Sequence, residues 1–319
     1  MTKGIELTEG DSRKHVSTEV LPHLTRKEVS VIRDTGAGSR PIEYPGEYNG
    51  FLGISLGSRI SNEDLRIYIS WALKYFKNVL VLIDDWEHRI NYRVLDGLSE
   101  EEATAKALRQ GQEWVRRFEK IRNGIHNPSD REKISVKCSS EYFQSGACEE
   151  ILKQLTQAFE GEEGPKFRQD IMDQVWASIG DRIHTWKQRA SPREYQDGLR
   201  ILPTYLLKET AITIWLVEHG YPIEMYQGDY IRAVAELYED KDDFDKGGHL
   251  FPRYHWLKEN LNLRADYGHI NFMVKEIPAE SMQHIRRKSI RLPTLQNIFK
   301  FTNQMKIGYT TVTTSAGIA

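Results

Sequence analysis

Phe51-Leu-Gly-Ile-Ser-Leu-Gly-Ser58 is the stretch on which the reading of the whole chain turns. Phe51, Leu52 and Ile54 make an apolar run of the kind that ends a buried strand, and glycines at 53 and 57 allow the backbone a tight strand-to-helix turn. Ser55 therefore falls on that turn. Beyond it, Ser61-Asn-Glu-Asp64 offers a cap with acids in the first helical turn. Leu65, Tyr68, Ile69, Ala72 and Tyr75 then recur at helical spacing, so a helix is expected from about Asn62 to Lys77. Val79-Leu-Val-Leu-Ile-Asp84 follows, a continuous apolar run typical of a parallel strand buried on both faces. The three pieces form a βαβ unit. Such units cross over right-handedly, and ligands of open parallel sheets bind beyond the carboxyl ends of the strands, where Ser55 and Asp84 would both lie. A serine at that place has its hydroxyl exposed beside free backbone N–H groups, as a nucleophile and its oxyanion require; read structurally, it is an ordinary turn serine.

The 319-residue chain is long enough to bury a sizeable core, and its formal charge of −2 excludes a uniformly basic nucleic-acid binder. Any polyanion site must come from charges gathered on one face. Cys138 and Cys148 have neither metal-ligand spacing nor the density of a disulfide scaffold, so they are expected as free thiols in a reducing cytoplasm, with no metal site. No stretch has the length of an apolar membrane span, and the first residues lack the apolar core of a signal peptide, so a soluble, cytoplasmic protein is expected.

Residues 1–45 are rich in charge, glycine and turn residues, with only Val29 to Ile32 suited to a strand, and are expected as a mobile segment. Within them Asp34-Thr-Gly36 matches the aspartic-protease signature, but without a second copy it reads as a polar loop. A single catalytic domain is expected over residues 46–311, followed by a disordered tail at 312–319. Ser99-Glu-Glu-Glu102 is a capping box opening a long helix to about Asn123. On that helix Leu108, Trp114, Val115, Phe118 and Ile121 share one side. Lys106, Arg109, Arg116, Arg117 and Lys120 gather on the other, with Glu113 the one acid on their arc. Either this is a wet helix face, or it is a stripe that tracks a phosphate backbone. Further helices are expected from about Cys148 to Phe159, Phe167 to Arg189, and Pro192 to His219, the last kinked or restarted at Pro203. Gly220 to Gly228 reads as a short strand, with Glu224 and Tyr226 pointing one way and Ile223, Met225 and Gln227 the other. A helix near Tyr230 to Tyr238, a charged loop over Glu239 to Lys246 and a strand around His269 to Val274 complete the chain.

Gly53-Ile-Ser55, Tyr205 and Glu209 one helical turn apart, the Gly220-Tyr-Pro222 step and Tyr226-Gln227 closing a strand stand in an order that resembles the tRNA-dependent cyclodipeptide synthases. The resemblance runs from Gly53 to about Asp229. It implies an α/β fold: a Rossmann-like, three-layer parallel sheet with helices on both faces, similar to the catalytic domain of class Ic aminoacyl-tRNA synthetases. It implies a cytoplasmic enzyme, expected as a monomer, that joins amino acids from two aminoacyl-tRNAs into a cyclic dipeptide without ATP or another cofactor. By position, Ser55 would be the nucleophile, Tyr205 and Glu209 would hold the substrate's amino group, and Tyr226 would lie beside Ser55. Gly53, Ser58, Ile212, Glu224 and Gln227 would line the substrate pocket, and the Lys106 to Lys120 face would hold tRNA. The commonest family pattern has Asn where this chain has Ser58, His where it has Gln227, and a proline where it has Leu56. This chain looks like a minor variety with a Ser, Tyr, Gln signature.

The residue types suit the chemistry. A carboxylate and a phenol at i and i+4 share a helical face and can grip an α-ammonium by charge-assisted hydrogen bonds. Because the substrate is an activated ester, the reaction is acyl transfer and needs no phosphate-cradling loop; the sequence has no Walker motif, dinucleotide fingerprint or His-Ile-Gly-His signature. In the family the residue two before the strand-end tyrosine lines the first aminoacyl pocket and is commonly apolar; here it is Glu224. A carboxylate there asks for a cationic or imidazole side chain on the first substrate, histidine first and arginine or lysine next, or else for a Lys or Arg of the protein. Two other readings compete. Gly53-x-Ser55-x-Gly57 also fits the α/β-hydrolase elbow, with His284 available for a triad, although that elbow normally follows several strands and a glycine-rich oxyanion loop. A non-catalytic RNA-binding protein would leave Ser55, Tyr205 and Tyr226 without a task.

Overall fold

The computed structural model of the protein describes residues 26–162, 164–227, 231–238 and 254–277. Its strands are β1 (Arg26–Gly36), β2 (Gly50–Ser55), β3 (Val79–Asp84), β4 (Ile134–Cys138), β5 (Ile223–Tyr226) and β6 (Gly268–Ile277). The helices described are α1 (Arg40–Glu43), α2 (Asn62–Tyr75), α3 (Asp85–Leu95), α4 (Glu100–Asn123), α5 (Pro128–Glu132), α6 (Ser139–Gln144), α7 (Glu149–Glu160), α8 (Pro165–Lys187), α9 (Pro192–Ile201), α10 (Pro203–Glu218), α11 (Arg232–Tyr238) and α12 (His255–Leu261). Residues Glu28–Lys275 form one compact unit; of the other unit, Met1–Lys27 with Glu276–Ala319, only 26–27 and 276–277 are described.

Local signals account for much of this. The Ser61 side chain accepts the Asp64 N–H at 3.0 Å to start α2, and Ser99 with Glu102 forms the reciprocal capping box of α4. Pro203 lacks the N–H a continuous helix would need, so the expected long helix divides into α9 and α10. The expected Phe167–Arg189 helix is α8, interrupted at Ile179, whose φ of −133° and ψ of 15° are non-helical.

The sheet order is β1-β6-β5-β2-β3-β4, and the pairs β2–β3, β3–β4, β2–β5 and β5–β6 are parallel. From β2 the chain moves outward to β3 and β4 on one side, then returns to build β5 and β6 on the other. The reversal between β2 and β5 is the switch point at which such sheets open a crevice. Side chains alternate across the sheet and divide the core. Phe51, Leu80 and Leu82 pack with α7, α8 and α10, while Leu52, Ile54, Val81, Ile83, Ile223 and Met225 pack with α2 and α4. The fold is thus the Rossmann-like three-layer α/β sheet that the sequence implies.

Several elements depart from the expectations. Residues 26–43, part of the segment expected to be mobile, carry β1 and α1, and Val29 and Val31 pack from β1 on the core, half-buried. The supposed Asp34 loop lies in that strand. Neither α3 nor β4 was expected. Residues 1–25, the Glu239–Lys246 loop, His284 and the 312–319 tail lie outside the described residues.

Candidate active site

At the switch point, the face of the sheet that carries Phe51 also carries, at successive alternate positions, Gly53 and Ser55 of β2, Leu82 and Asp84 of β3, and Glu224 and Tyr226 of β5. In the register Ser55 stands beside Asp84, and Phe51 beside Glu224. All seven line a cavity of about 400 Å³, roofed by α10 and α8. Strand alternation thus puts Glu224 and Tyr226 on the Ser55 side. Gly53 is needed for close approach: a Cβ there would stand 3.3 Å from Cδ2 of the Tyr226 ring. After Ser55 the chain turns sharply, with the Ser58 N–H donating to the Ser55 carbonyl at 2.9 Å.

The roof supplies Tyr205, Glu209 and Ile212 of α10, all facing the cavity. The buried Tyr205 hydroxyl has Ser178 of α8 as its polar neighbour and makes no hydrogen bond of full geometry among the described residues, so it can take a ligand as partner. Burial, with Glu87 and Glu224 nearby, pushes the Glu209 carboxyl up to about 8. Burial likewise raises Glu224 to about 7, opposed by the Tyr267 hydroxyl, which donates to Oε2 of Glu224. Asp84 is raised well above the usual carboxylate range by burial and then by Glu209, Glu87 and Glu224. The Tyr226 phenol is raised by burial and by Glu209 and Asp84. Three carboxyl groups, Asp84 and Glu224 from the sheet and Glu209 from the roof, therefore crowd a small cavity, and a cation entering it would ionise them. Among the described residues no Lys or Arg pairs with Glu224. The cation lining the cavity is Arg182 of α8, which is bonded to Asp96 at 3.2 Å.

The cavity holds a residue the sequence reading did not single out. His88, on the first full turn of α3, places Nε2 3.4 Å from Ser55 Oγ. Burial, reinforced by the positive charge of Arg182, pushes its imidazole down to about 4. The start of α3 is held by bonds to the first residues of α6, directly after β4. Asp85 accepts the Ser140 N–H at 2.9 Å and its hydroxyl at 2.8 Å, and the Trp86 N–H donates to Ser139 Oγ at 3.1 Å. Asn91 of the same helix and Ser178, beside the break in α8, also line the cavity.

Of the residues singled out in the sequence, Gly53, Ser55, Ser58, Tyr205, Glu209, Ile212, Glu224 and Tyr226 line this one cavity. Gln227 follows β5, is exposed, and does not line it. The basic residues of α4 divide. Arg109, Arg116 and Lys120 are exposed, opposite the buried Ala107, Trp114 and Phe118. Lys106 instead bonds Asp96 at 2.9 Å and lies over the Tyr92 ring. Arg117 bonds Asn62 at 3.0 Å and the Ile60 carbonyl at 2.7 Å and stacks on Trp114. Those two side chains hold neighbouring segments together.

Comparison with known proteins bears on this arrangement. The family model for cyclodipeptide synthases matches residues 45–210, just over half of the chain. No curated protein matches the sequence. Among solved structures, a cyclodipeptide synthase from Fluoribacter dumoffii is 16% identical, with a TM-score of 0.56 over 79% of this chain and 100% of that one. One from Bacillus thermoamylovorans is 18% identical, with a TM-score of 0.52 over 77% and 96%. A Mycobacterium tuberculosis protein, described as demonstrating that cyclodipeptide synthetases are related to type I tRNA synthetases, is 19% identical, with a TM-score of 0.53 over 81% and 98%. At these identities the structural likeness is one of fold. The family match covers Ser55, His88, Tyr205 and Glu209 and ends before β5.

Proposed function

The chain belongs to the cyclodipeptide synthase family, and from that premise we propose that it draws amino acids from two aminoacyl-tRNAs and joins them through an ester on Ser55. Membership sets aside the hydrolase reading of Gly53-x-Ser55-x-Gly57. Glu209 and the buried Tyr205 hydroxyl receive the α-ammonium of the first substrate. Ser55 Oγ attacks the ester carbon, the tetrahedral oxyanion collapses, and the ribose oxygen leaves as the hydroxyl of free tRNA. The amine of the second aminoacyl-tRNA then attacks the Ser55 ester, which forms the peptide bond, frees the Ser55 hydroxyl and leaves the dipeptide esterified to the second tRNA. The free amine of that dipeptidyl ester attacks its carbonyl, which closes the ring and frees the ribose hydroxyl of the second tRNA. No external energy source is required, because each carbonyl arrives activated. The exposed arc of Arg109, Arg116 and Lys120 is suited to the phosphates of an acceptor arm. Ser58 on the cavity wall and Tyr226 fit the Ser, Tyr, Gln variety; Gln227, exposed, would act only at the rim.

The first amino acid is cationic or carries an imidazole. The observation that carries this reading is Glu224: it lies two positions before Tyr226 on the Ser55 face, is buried, and has a neutral phenol where a protein cation would satisfy it. Asp84 and Glu209 add carboxyl groups to the same cavity. A positive side chain entering it gains charge-assisted bonds that an apolar one forfeits. Mass spectrometry of culture medium after expression in a bacterium tests both levels. Rings containing histidine, arginine or lysine are expected, and Glu224→Leu should replace them with apolar ones. Leu-, Phe- or Tyr-containing rings from the unaltered enzyme would sink the cationic substrate, and no new ring at all would sink the synthase reading.

A further inference from the structure

Neither Tyr205 nor Glu209, which the proposed mechanism engages with the substrate amine, is free to take the proton of Ser55. Yet the attacking oxygen must lose one. Where β3 ends, α3 begins at once with no intervening turn, since Asp84 closes the strand and Asp85 opens the helix. A residue one turn into α3 therefore stands over the carboxyl end of the sheet, level with the end of β2. That residue is His88, whose Nε2 lies 3.4 Å from Ser55 Oγ. The bonds from Asp85 to Ser140 and from Trp86 to Ser139 fix the first turn of the helix, and the ring packs edge-on against Tyr92 at 5.8 Å. Gly57 keeps the other side open: a Cβ there would come within 3.8 Å of Nε2 and 3.9 Å of Ser55 Oγ, in the space an incoming ester has to use.

We propose that His88 is the general base of the reaction, taking the Ser55 proton at Nε2 as the acyl bond forms and returning it to the departing ribose oxygen. The assignment rests on the acyl-transfer reading. In the step, the bond from Ser55 Oγ to the substrate carbon forms, the ester C–O bond to the ribose breaks, and the proton passes from Oγ through Nε2 to the leaving oxygen. No proton is gained or lost overall. The ring is neutral near pH 7, because burial disfavours its charged form, and in the tautomer that carries its proton on Nδ1 the Nε2 atom has a lone pair to offer. A separation of 3.4 Å without substrate is of the kind that shortens once the reacting carbon is in place.

Phosphonylation of Ser55 by a fluorophosphonate probe tests the dyad on the full chain without any tRNA. Wild-type protein should be labelled at Ser55 and Ser55→Ala should not. His88→Asn and His88→Gln, with melting temperatures unchanged, should be labelled at least about a hundredfold more slowly. Added imidazole should restore part of the rate to His88→Ala. Labelling of both amide variants within a few-fold of wild type would overturn the assignment, as would the absence of imidazole rescue. Should the variants not fold, the wild-type rate decides. The groups facing His88 are Arg182 of α8, Tyr92 and Asp96 on its own segment and Asp84 at the end of β3. The wild-type rate should fall as pH nears 4, whatever limbs the ionisation of Glu209 near 8 and of Glu224 near 7 adds at higher pH, and a rate with no acid limb between pH 6 and 4 would refute the base. Charged tRNA separates this from the broader reading. A wild-type protein that shows His88-dependent labelling but accepts no aminoacyl group from any charged tRNA would overturn acyl transfer from tRNA and leave the dyad standing.

Discussion

Replacing Glu224 by glutamine separates the charge of that side chain from its shape. The residue is 7% exposed, and the Tyr267 hydroxyl that donates to Oε2 can donate equally to an amide oxygen. What the substitution removes is a buried ionisation. Burial raises the Glu224 carboxyl from its ordinary 4.5 to about 7, and each tenfold change in proton affinity is worth ~1.4 kcal/mol. Because the folded value is raised, the folded chain holds this proton more tightly than the unfolded chain does. The stability it confers is complete below pH 4.5 and is lost as pH rises through about 7. Between pH 5 and pH 9 the wild type should therefore lose roughly 2 to 3 kcal/mol relative to Glu224→Gln, nearly all of it before pH 8. Urea denaturation of the two proteins at both pH values measures the difference directly. Two stability curves that run parallel across this range would mean that Glu224 titrates as an exposed carboxylate, and the argument for a cationic first substrate would lose its physical basis.

Gly53→Ala brings a methyl group to within 3.3 Å of the Tyr226 ring; turnover measured as cyclic dipeptide formed should fall about tenfold or more, while stability changes by no more than ~1 kcal/mol. A normal rate would show that Tyr226 need not stand where it does. Arg109→Glu with Arg116→Glu should raise KM for aminoacyl-tRNA and lower the salt dependence of binding by about one per lost contact. Arg117→Ala should leave that slope unchanged and lower the melting temperature, since its guanidinium bonds Asn62 and the Ile60 carbonyl. If the exposed pair proved silent in a filter-binding titration across salt, the α4 arc would be a solvated surface.

The β2–α2–β3 unit was legible in the sequence because its signals are local: an apolar run, a capping serine and a second apolar run buried on both faces. The strand after Gly220 was legible for the same reason, and period two alone put Glu224 and Tyr226 on a common face. His88 was not. The chain passes from β3 into α3 without a turn residue or a side-chain cap, so nothing in Asp84-Asp-Trp-Glu-His88 marks the start of a helix. The placement of that helix depends on buried bonds from Asp85 and Trp86 to Ser139 and Ser140, more than fifty residues away. The strand that ends there, β4, is only five residues long and partly exposed. On α4 the periodicity correctly sorted charge from core, but the Lys106 bond to Asp96 and the Arg117 bond to Asn62 depend on segments brought together by folding.

The register of β5 on β2 constrains how such an enzyme can change its product in evolution. Glu224 and Tyr226 reach the cavity because Phe51 pairs with Glu224 and Leu52 with Met225. A slip of β5 by one residue would turn both side chains into the opposite core and bring Ile223 and Met225 to the cavity face instead. The burial of Ile223 and Met225 holds the register against such a slip, and exchange of one side chain for another at position 224 leaves the backbone that carries Ser55, His88 and Tyr226 in place. Under the proposed function, point substitution along β5 is the route by which the pocket would change its substrate, while the connection before the strand can vary in length without touching it.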